Sequence, residues 1–365
     1  MDELRKDPTR GHWVLIRPKG KWPSAGDCPY CPGAEHFTGP EIAAYRKDGS
    51  PPNGPGWSVR VVPEADAYFR IEWELVREGV GMFDRLTPRG ASELIVESPR
   101  HDDTLATMAP EALEMVLWMY RDRLVDLKRD GQIRDILVSR RHKKPGVPPH
   151  HPYSRVSAIP IVFDEMRREL REAREYYQYK RRCLYCDMLR QEIAAEERVV
   201  SLTPAFAALV PYAARGPLEA WILPRQHGCS FEEGLTAETA HGLARLLSDY
   251  FRALATSLGD PGYEMVLHTA PNLRSRIFRG TGRRSATTTT GTSRSSSSRS
   301  RRTGSAGSSS TRRCRRSRPR ASATPGRVPP ASGDGGATGR ARAFARAIPP
   351  GEGVGGGRRG PLRLS

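Results

Sequence analysis

The second half of this 365-residue chain repeats the order of short motifs found in its first half. The first copy has a cysteine pair, two strand-like runs around a long helical stretch, and a histidine cluster: Cys28-Pro-Tyr-Cys31, Glu93 to His101, Asp135 to Val138 and His150-His-Pro-Tyr153. The second copy has the same parts except the last: Cys183-Leu-Tyr-Cys186, Glu219 to His227 and Glu264 to His268. A repeated sequence unit folds as a repeated structural unit, so two similar halves are expected, the second of which breaks off early.

Hydrophobic periodicity predicts the secondary structure of both copies. Apolar residues at helical spacing follow Pro110 and Thr236, and a highly charged helix is expected from Glu165 to Lys180. Each copy places strands before one long helix and closes with another strand, which predicts an α+β fold with antiparallel sheet and flanking helices. We expect an N-terminal half at residues 1–160, a C-terminal half at 161–272 and a separate tail at 273–365.

Composition separates the tail from the rest of the chain. The whole chain has a formal net charge of +18, and residues 271–365 contain 22 Arg, no Lys and 2 acidic residues, a balance of +20 that leaves −2 for residues 1–270. The part before the tail is therefore near neutral, and general electrostatic binding of nucleic acid is not expected. Beyond Asn272, Gly, Ser, Thr, Arg and Pro dominate, so disorder is expected there.

Cysteine usage indicates a reducing compartment. Four of the six cysteines form CxxC pairs, and no N-terminal apolar segment or long apolar run is present. CxxC in such a setting indicates metal or redox chemistry, so a cytoplasmic protein without a membrane partner is expected.

The first CxxC pair is a candidate metal site. Thiolate and imidazole are zinc ligands, so Cys28 and Cys31 are predicted to bind zinc together with His101 and His151. The alternatives are a pair of buried or redox thiols and, for His150-His-Pro-Tyr153, a Pro-rich loop with solvent-exposed histidines.

The remaining ligand-type residues have ordinary structural explanations. Cys183, Cys186 and His227 could hold another zinc, but we favour buried or redox thiols in a decayed copy of the motif. Glu175 lies on the charged helix, where a solvated carboxylate is the default. His268 follows an apolar strand and is explained equally well as a satisfied core histidine.

A series of short motifs occurs in a fixed order between residues 3 and 272. They are Arg5-Lys-Asp-Pro-Thr-Arg10, Trp13-Val14, Cys28-Pro-Tyr-Cys31, Trp57-Ser-Val-Arg60, Glu97-Ser-Pro-Arg-His101, His151-Pro152, Glu175-Tyr-Tyr177, Val210-Pro-Tyr212, Leu223-Pro-Arg-Gln-His227 and Leu267-His-Thr-Ala-Pro-Asn272. With these motifs the chain resembles the galactose-1-phosphate uridylyltransferase family of the histidine-triad superfamily. The resemblance implies duplicated histidine-triad-like halves and a homodimer.

The resemblance also implies a ping-pong nucleotidyl transfer. A histidine attacks the α-phosphorus of UDP-glucose, glucose 1-phosphate leaves, and galactose 1-phosphate then takes the uridylyl group. Neutral imidazole suits this role because it is a good nucleophile at pH 7. Zinc is implied at the positions of Cys28, Cys31, His101 and His151, a second metal (iron or zinc) at those of Glu175, His268 and a later His-x-His pair, and substrate contacts at Arg60, Arg140 and Pro152.

The chain departs from the family at three places. Tyr153 occupies the position of the nucleophilic histidine, and a phenol, mostly protonated at neutral pH, would form a different intermediate. Arg155 replaces a glutamine that supports the transferred group. Arg140 to Pro149 replaces a glycine-rich, asparagine-bearing loop. Each change is expected to reduce ordinary turnover.

The tail motivates a hypothesis about the missing His-x-His pair. With suitable codons for Thr287 to Arg294, reading from the third base gives His-His-His-Trp-His-Ile-Glu. A one-base frame change near residues 274–286 would then have replaced the native C-terminus, which resequencing of the gene would test.

Two other functions remain open at this stage. One is a phosphorylase or adenylyltransferase of the same fold that acts on another nucleotide sugar, with Tyr153 and Arg155 as specificity changes. The other is an inactive binding protein whose basic tail contacts nucleic acid or anionic surfaces. The near absence of aromatic residues for stacking in the tail, which has Phe278 and Phe344 alone, argues against it.

Overall fold

The computed structural model describes residues 2–16, 28–46, 49–142, 151–216, 218–259 and 261–275, and the backbone of 362–363. All of these belong to one unit made of residues 1–284 and 341–365, whereas a second unit, residues 285–340, lies wholly outside the described ranges. The predicted disordered tail, the proposed frame change and the loop at 143–149 also lie outside them, apart from positions 273–275 and 362–363.

Strands and helices alternate along the described chain. The strands are β1 (Glu3–Lys6), β2 (Trp13–Ile16), β3 (Ala43–Arg46), β4 (Trp57–Pro63), β5 (Arg77–Val80), β6 (Phe83–Leu86), β7 (Ala91–Val96), β8 (Asp135–His142), β9 (Tyr153–Ile159), β10 (Val199–Leu202), β11 (Phe206–Leu209), β12 (Trp221–Pro224), β13 (Tyr263–Leu267) and β14 (Leu362–Arg363). The helices are α1 (Pro110–Leu127), α2 (Asp164–Lys180), α3 (Leu184–Ala195), α4 (Phe231–Gly234) and α5 (Ala237–Leu258), and a 3-10 helix covers Glu35–Phe37.

The strands form three antiparallel sheets, which confirms the predicted α+β class. The largest has the order β13-β8-β9-β7-β4-β3, a second has the order β14-β2-β1-β6-β5, and a third has the order β10-β11-β12. In the first copy, β9 lies between β7 and β8 and pairs antiparallel with both. The central strands β4 and β7 are rich in Val, Ile and Leu and are buried, as expected for strands covered on both faces.

The three predicted helices form where their sequence signals lie. Pro110 occupies the first turn of α1, where its missing N–H is not needed. The Thr236 side chain accepts from the Thr239 backbone N–H and begins α5 with a capping box. In α2, among the described side chains, Asp164 is buried and the rest are half-buried or exposed, as its charge predicts.

One hydrophobic core joins the two copies. Helices α1 and α5 pack against each other and against one face of the large sheet, with Leu113, Tyr120, Leu124, Leu243 and Phe251 among the buried residues. Phe206 and Ala208 of β11 belong to the same core, so the three-stranded sheet also packs under α5. Among the described residues, no helix is both long and apolar enough to cross a membrane.

The opposite face of the large sheet is less covered. Trp57, Val62, Leu94 and Val96 form a small cluster there, against which Tyr30 packs. The loop that carries the first CxxC pair therefore lies over this face.

Candidate functional site

The first cysteine pair and two distant histidines meet in the structure, as predicted. Cys28 and Cys31 lie in a turn before the 3-10 helix, His101 lies after β7, and His151 lies two residues before β9. One ligand atom of each residue lies within 4.8 Å of those of the other three. The Sγ of Cys31 is 3.5 Å from Nδ1 of His101 and 3.6 Å from Nδ1 of His151.

These separations suit a tetrahedral metal ion. Zn–S and Zn–N bonds of about 2.3 and 2.0 Å at tetrahedral angles place sulfur and nitrogen about 3.5 Å apart. The Nε2 of His151 lies 2.6 Å from the carbonyl oxygen of Ser98 and donates to it, which orients the ring and leaves Nδ1 for a metal. The cluster could therefore hold one metal ion, and its two sulfurs and two nitrogens are compatible with zinc.

Burial disfavours the charged forms of two of these ligands. Desolvation, followed by the hydrogen bond with Cys28, raises the pKa of Cys31 to about 11. Desolvation also lowers the pKa of His151. A divalent cation would stabilise the thiolate and bind the neutral imidazole, so the cluster is better suited to a metal than to free redox thiols.

Tyr153 begins β9 on the less covered face of the sheet. Its backbone neighbour Ser154 points the other way and is fully buried, whereas Tyr153 is half-buried. The Tyr153 and Tyr30 ring centroids are 5.8 Å apart. Desolvation, and then the proximity of Tyr153, raises the pKa of Tyr30 to about 12, so Tyr30 stays neutral.

Arg155 lies on the same face as Tyr153, two residues along β9. Its Nη2 donates to Oε1 of Glu64 at 2.6 Å, and its guanidinium carbon is 5.8 Å from the centroid of the Tyr68 ring. The Arg155 side chain remains 38% exposed. A partly exposed guanidinium beside Tyr153 offers positive charge to an anionic group on this face.

The side chain of Arg140, a predicted substrate contact, is buried in the structure. Arg140 is 2% exposed on the helix-covered face, where its Nε donates to Oε2 of Glu97 at 2.7 Å. Glu97 also accepts from Tyr120 at 3.0 Å and from Ser154 at 2.5 Å. The Arg140 side chain therefore belongs to a buried polar network and does not reach the less covered face.

Arg60 and Pro152 also have structural roles. Arg60 is 1% exposed, and it donates to Thr38 at 3.0 Å and to Glu41 at 3.3 Å. Pro152 is buried, and its carbonyl oxygen accepts from the Glu97 N–H at 3.0 Å. Both side chains are enclosed by protein, and the substrate contacts predicted for them stay predictions.

The structure does not bring Glu175 to His268. The Glu175 side chain is 62% exposed and lies 4.0 Å from Arg171 on the same helix. The carboxylate beside His268 is Glu169, whose Oε2 is 3.1 Å from Nδ1 of His268. This contact raises the pKa of His268. Among the described residues, the carboxylate in contact with His268 is therefore that of Glu169 and not that of Glu175.

The second cysteine pair forms a smaller cluster. Cys183, Cys186 and His227 each place a ligand atom within 4.8 Å of the other two, and Cys186 Sγ is 3.1 Å from Nδ1 of His227. Desolvation, and then the hydrogen bond with Cys183, raises the pKa of Cys186 to about 11. This cluster could hold a metal ion with three ligands from the described part of the chain, and free thiols remain compatible with it.

Sequence reasoning missed several residues of the less covered face. Glu64, Tyr68 and Tyr30 surround Arg155 and Tyr153, yet each lies in a loop without a distinctive motif. The position of Glu64 directly after the apolar strand β4 was a usable signal, because polar residues at strand ends often line sites.

Comparisons with known proteins show similarity to two kinds of enzyme. No protein-family model matches the chain. It is 27% identical over 286 residues to ADP-glucose phosphorylase of Arabidopsis thaliana, covering 74% of this chain and 78% of that protein. It is 28% identical over 242 residues to galactose-1-phosphate uridylyltransferase of Thermotoga maritima, covering 62% of this chain and 68% of that protein.

A solved structure shows the same similarity at the level of the fold. A uridylyltransferase structure superposes with a TM-score of 0.63 at 29% identity, covering 74% of this chain and 81% of that one. The match therefore extends beyond the fold to the sequence of most of the described residues. The chain is therefore similar in both sequence and fold to the galactose-1-phosphate uridylyltransferase family.

Proposed function

We propose that this chain is a nucleotidyltransferase that exchanges the uridylyl group between UDP-glucose and galactose 1-phosphate, with turnover reduced by Tyr153. The observation that carries the proposal is the segment from His151 to Arg155. Its first residue is fixed in the Cys/His cluster, and Tyr153 and Arg155 follow on the less covered face of the sheet. Because His151 is anchored in the cluster, the side chains of Tyr153 and Arg155 that follow it are held in fixed positions. Group transfer requires such fixed positions.

Each residue of this segment has a proposed role. Tyr153 takes the nucleophile's position, where its oxygen would bond to the α-phosphorus as the bond to the β-phosphate oxygen breaks, with the phenol proton lost to water. Glucose 1-phosphate leaves. An oxygen of the anomeric phosphate of galactose 1-phosphate would then bond to the same phosphorus as its bond to the Tyr153 oxygen breaks, and the phenol would regain a proton from water. Arg155, held by Glu64, would stabilise charge on the transferred group. A neutral phenol attacks poorly, so slow turnover follows.

We propose zinc as the ion of the first cluster, held by Cys28, Cys31, His101 and His151. When bound, zinc supplies a structural cross-link between the CxxC loop and the start of β9. The separations of 3.5 and 3.6 Å between Cys31 Sγ and the two imidazoles support this choice. A second metal, zinc or iron, is proposed at Glu169 and His268, with Glu169 in place of Glu175.

An exchange assay with UDP-glucose and galactose 1-phosphate tests the reaction. Tyr153→His is expected to raise the exchange rate about tenfold or more, which corresponds to at least about 1.4 kcal/mol off the barrier. Tyr30→His is the matched control, because it places an imidazole 5.8 Å away by ring centroid without restoring the nucleophile's position. Equal rates in Tyr153→His and Tyr30→His would contradict the proposal.

A second candidate is phosphorolysis of ADP-glucose. It is favoured by the similarity to ADP-glucose phosphorylase, which covers 74% of this chain. The same variants assayed with ADP-glucose and inorganic phosphate separate the two reactions. Faster turnover of ADP-glucose than of UDP-glucose in Tyr153→His would select this candidate.

A further inference from the structure

A basic cleft lies between the turn that joins β1 to β2 and the first turns of α2. Its volume is about 330 Å³, which is enough for a phosphate group with a small organic part. The residues that line this β1–α2 cleft are Arg10, Gly11, His12, Arg167, Arg168 and Arg171. None of the six is acidic, although residues 1–270 are near neutral as a whole. The cleft therefore concentrates positive charge in a part of the chain that has no general excess of it.

The turn on one side of the cleft is fixed by Asp7. Its Oδ1 accepts from the N–H of Thr9 at 2.8 Å, from the Thr9 hydroxyl at 2.7 Å and from the N–H of Arg10 at 3.2 Å. The Gly11 N–H donates to the Asp7 carbonyl oxygen at 2.8 Å, and Gly11 has a φ of +70°, which favours glycine. This turn therefore holds Arg10 and His12 in place beside α2.

Asp164, the first residue of α2, connects the helix to this turn. Its side chain is 3% exposed, and its two oxygens accept from Nδ1 of His12 and from Nη2 of Arg167. Arg167 Nη2 also donates to the Gly11 carbonyl oxygen at 3.2 Å. Because Nδ1 of His12 donates to Asp164, Nε2 of the ring can accept, and Nη2 of Arg168 lies 3.4 Å from it. A buried carboxylate thus orients the basic side chains around the cleft.

Two arginines of the cleft keep their charge available. Within the described ranges, neither Arg10 nor Arg168 forms an ion pair, and both side chains are exposed. Arg171 differs from them, since it pairs with Glu172 at 3.0 Å and lies 4.0 Å from Glu175. Each guanidinium has five N–H donors, so Arg10 and Arg168 can donate to a ligand without giving up a contact to a carboxylate.

We propose that the β1–α2 cleft binds one phosphate group, either as the free anion or as the monoester of a small molecule. Arg10 and Arg168 would be its main contacts, because a guanidinium can donate two parallel hydrogen bonds to phosphate oxygens. A phosphate monoester carries a charge of about −1.5 to −2 at pH 7, which these two guanidinium groups would balance. The charge of Asp164 does not oppose the ligand, because Arg167 compensates it.

The cleft is distinct from the candidate site around Tyr153. Tyr153 is the first residue of β9, and α2 begins beyond Ile159, the last residue of that strand. Six residue steps along a strand span about 20 Å. The proposed phosphate site therefore does not rest on the reaction proposed at Tyr153.

The size and the lining of the cleft favour a small ligand over nucleic acid. Six residues line it, and none of them is Phe, Tyr or Trp. Proteins that bind single strands use grooves that follow several phosphates, together with aromatic rings on which the bases stack. A single phosphate group is the ligand that this cleft fits.

Calorimetric titration of the full-length protein with inorganic phosphate and with glucose 6-phosphate tests the proposal. Saturable binding of one equivalent is expected. The double variant Arg10→Gln/Arg168→Gln should weaken it about tenfold or more. Both side chains are exposed, so this variant should unfold at the same temperature as wild type. Arg245→Gln, which changes an exposed arginine of α5, is the matched control and should bind like wild type.

A further variant separates the cleft from the candidate active site. Arg155 is partly exposed and would also attract phosphate, so binding should persist in Arg155→Gln if the cleft is the site. Tighter binding of glucose 6-phosphate than of inorganic phosphate would support a monoester as the ligand, and equal or weaker binding would support the free anion.

Three results would overturn the proposal. The first is that neither compound binds saturably to wild type. The second is that binding disappears in Arg155→Gln or is unchanged in Arg10→Gln/Arg168→Gln. The third is that a single-stranded oligonucleotide binds more tightly than either compound and loses this binding in Arg10→Gln/Arg168→Gln, which would make the cleft part of a nucleic-acid surface.

Discussion

The two copies of the repeated unit share a plan but differ in completeness. The first has a four-ligand Cys/His cluster and a closing strand, β9, that is paired on both sides. Among the residues that the structure describes, the second has a three-ligand cluster, and its strands β12 and β13 pair with β11 and β8. This difference indicates two roles for β9. It covers the edges of β7 and β8, and it follows directly after the fourth ligand, His151, and carries Tyr153 and Arg155.

The largest expected difference between the copies concerns the buried network around Glu97. Glu97→Ala leaves the guanidinium of Arg140 buried without its partner, so a loss of about 3–5 kcal/mol in the free energy of unfolding is expected. The matching position in the second copy is Leu223, which is half-buried. Leu223→Ala should cost about 1 kcal/mol. Denaturant titration of both variants measures this, and equal losses would break the comparison.

A difference in pH dependence is expected between Asp135, the first residue of β8, and Glu264, its counterpart in β13. Asp135 of β8 is 2% exposed, and desolvation raises its pKa to about 6. The protonated form is favoured in the fold, so the stabilising contribution is full below the unfolded pKa of about 4 and is lost as pH rises through about 6. The loss is roughly 3 kcal/mol at most.

Substitution at the matching positions isolates this effect. The unfolding free energy of Asp135→Asn relative to wild type should rise between pH 4 and pH 7. Glu264 begins the corresponding region of β13, where it is 45% exposed and paired with Arg141, and Glu264→Gln should show no such trend. If the difference in unfolding free energy between Asp135→Asn and wild type did not change with pH, the pKa of Asp135 would not differ between the folded and unfolded states.

The smallest effect concerns the pair that replaces the predicted Glu175 site. The hydrogen bond from Glu169 raises the pKa of His268, so Glu169→Gln should lower this pKa in an NMR titration. The stability change should stay under about 1 kcal/mol because the pair is partly exposed, and it should vanish as pH rises above the pKa of His268. Glu175→Gln is the control and should leave the titration of His268 unchanged.

The sequence predicts best where a signal is local. Pro110 and Thr236 begin their helices as expected, because capping and first-turn preferences depend on neighbouring residues alone. The spacing of each CxxC pair likewise brings two thiols together within one turn. The meeting of His101 and His151 with Cys31 depended on the repeat, which supplied the order of strands that the local signals lacked.

The direction in which a side chain points was harder to predict than the strand or helix on which the residue lies. Arg140 lies on β8 near the expected place, but side chains alternate between sheet faces, so a shift of one residue decides between the core and the site. Glu169 and Glu175 are on the same helix, but six residues at about 100° each leave them about 120° apart around its axis. The sheet face on which Arg140 lies and the helix face that approaches His268 both depend on tertiary packing, which the sequence alone does not specify.

Metal analysis of the full-length protein tests the central comparison most directly. Wild type, Cys28→Ser and Cys183→Ser are purified without added metal, dialysed against a weak chelator and measured for bound zinc. The complete four-ligand cluster should retain zinc in wild type and in Cys183→Ser and lose it in Cys28→Ser. Zinc that survives in Cys28→Ser but disappears in Cys183→Ser would contradict the assignment of the complete site to the first copy.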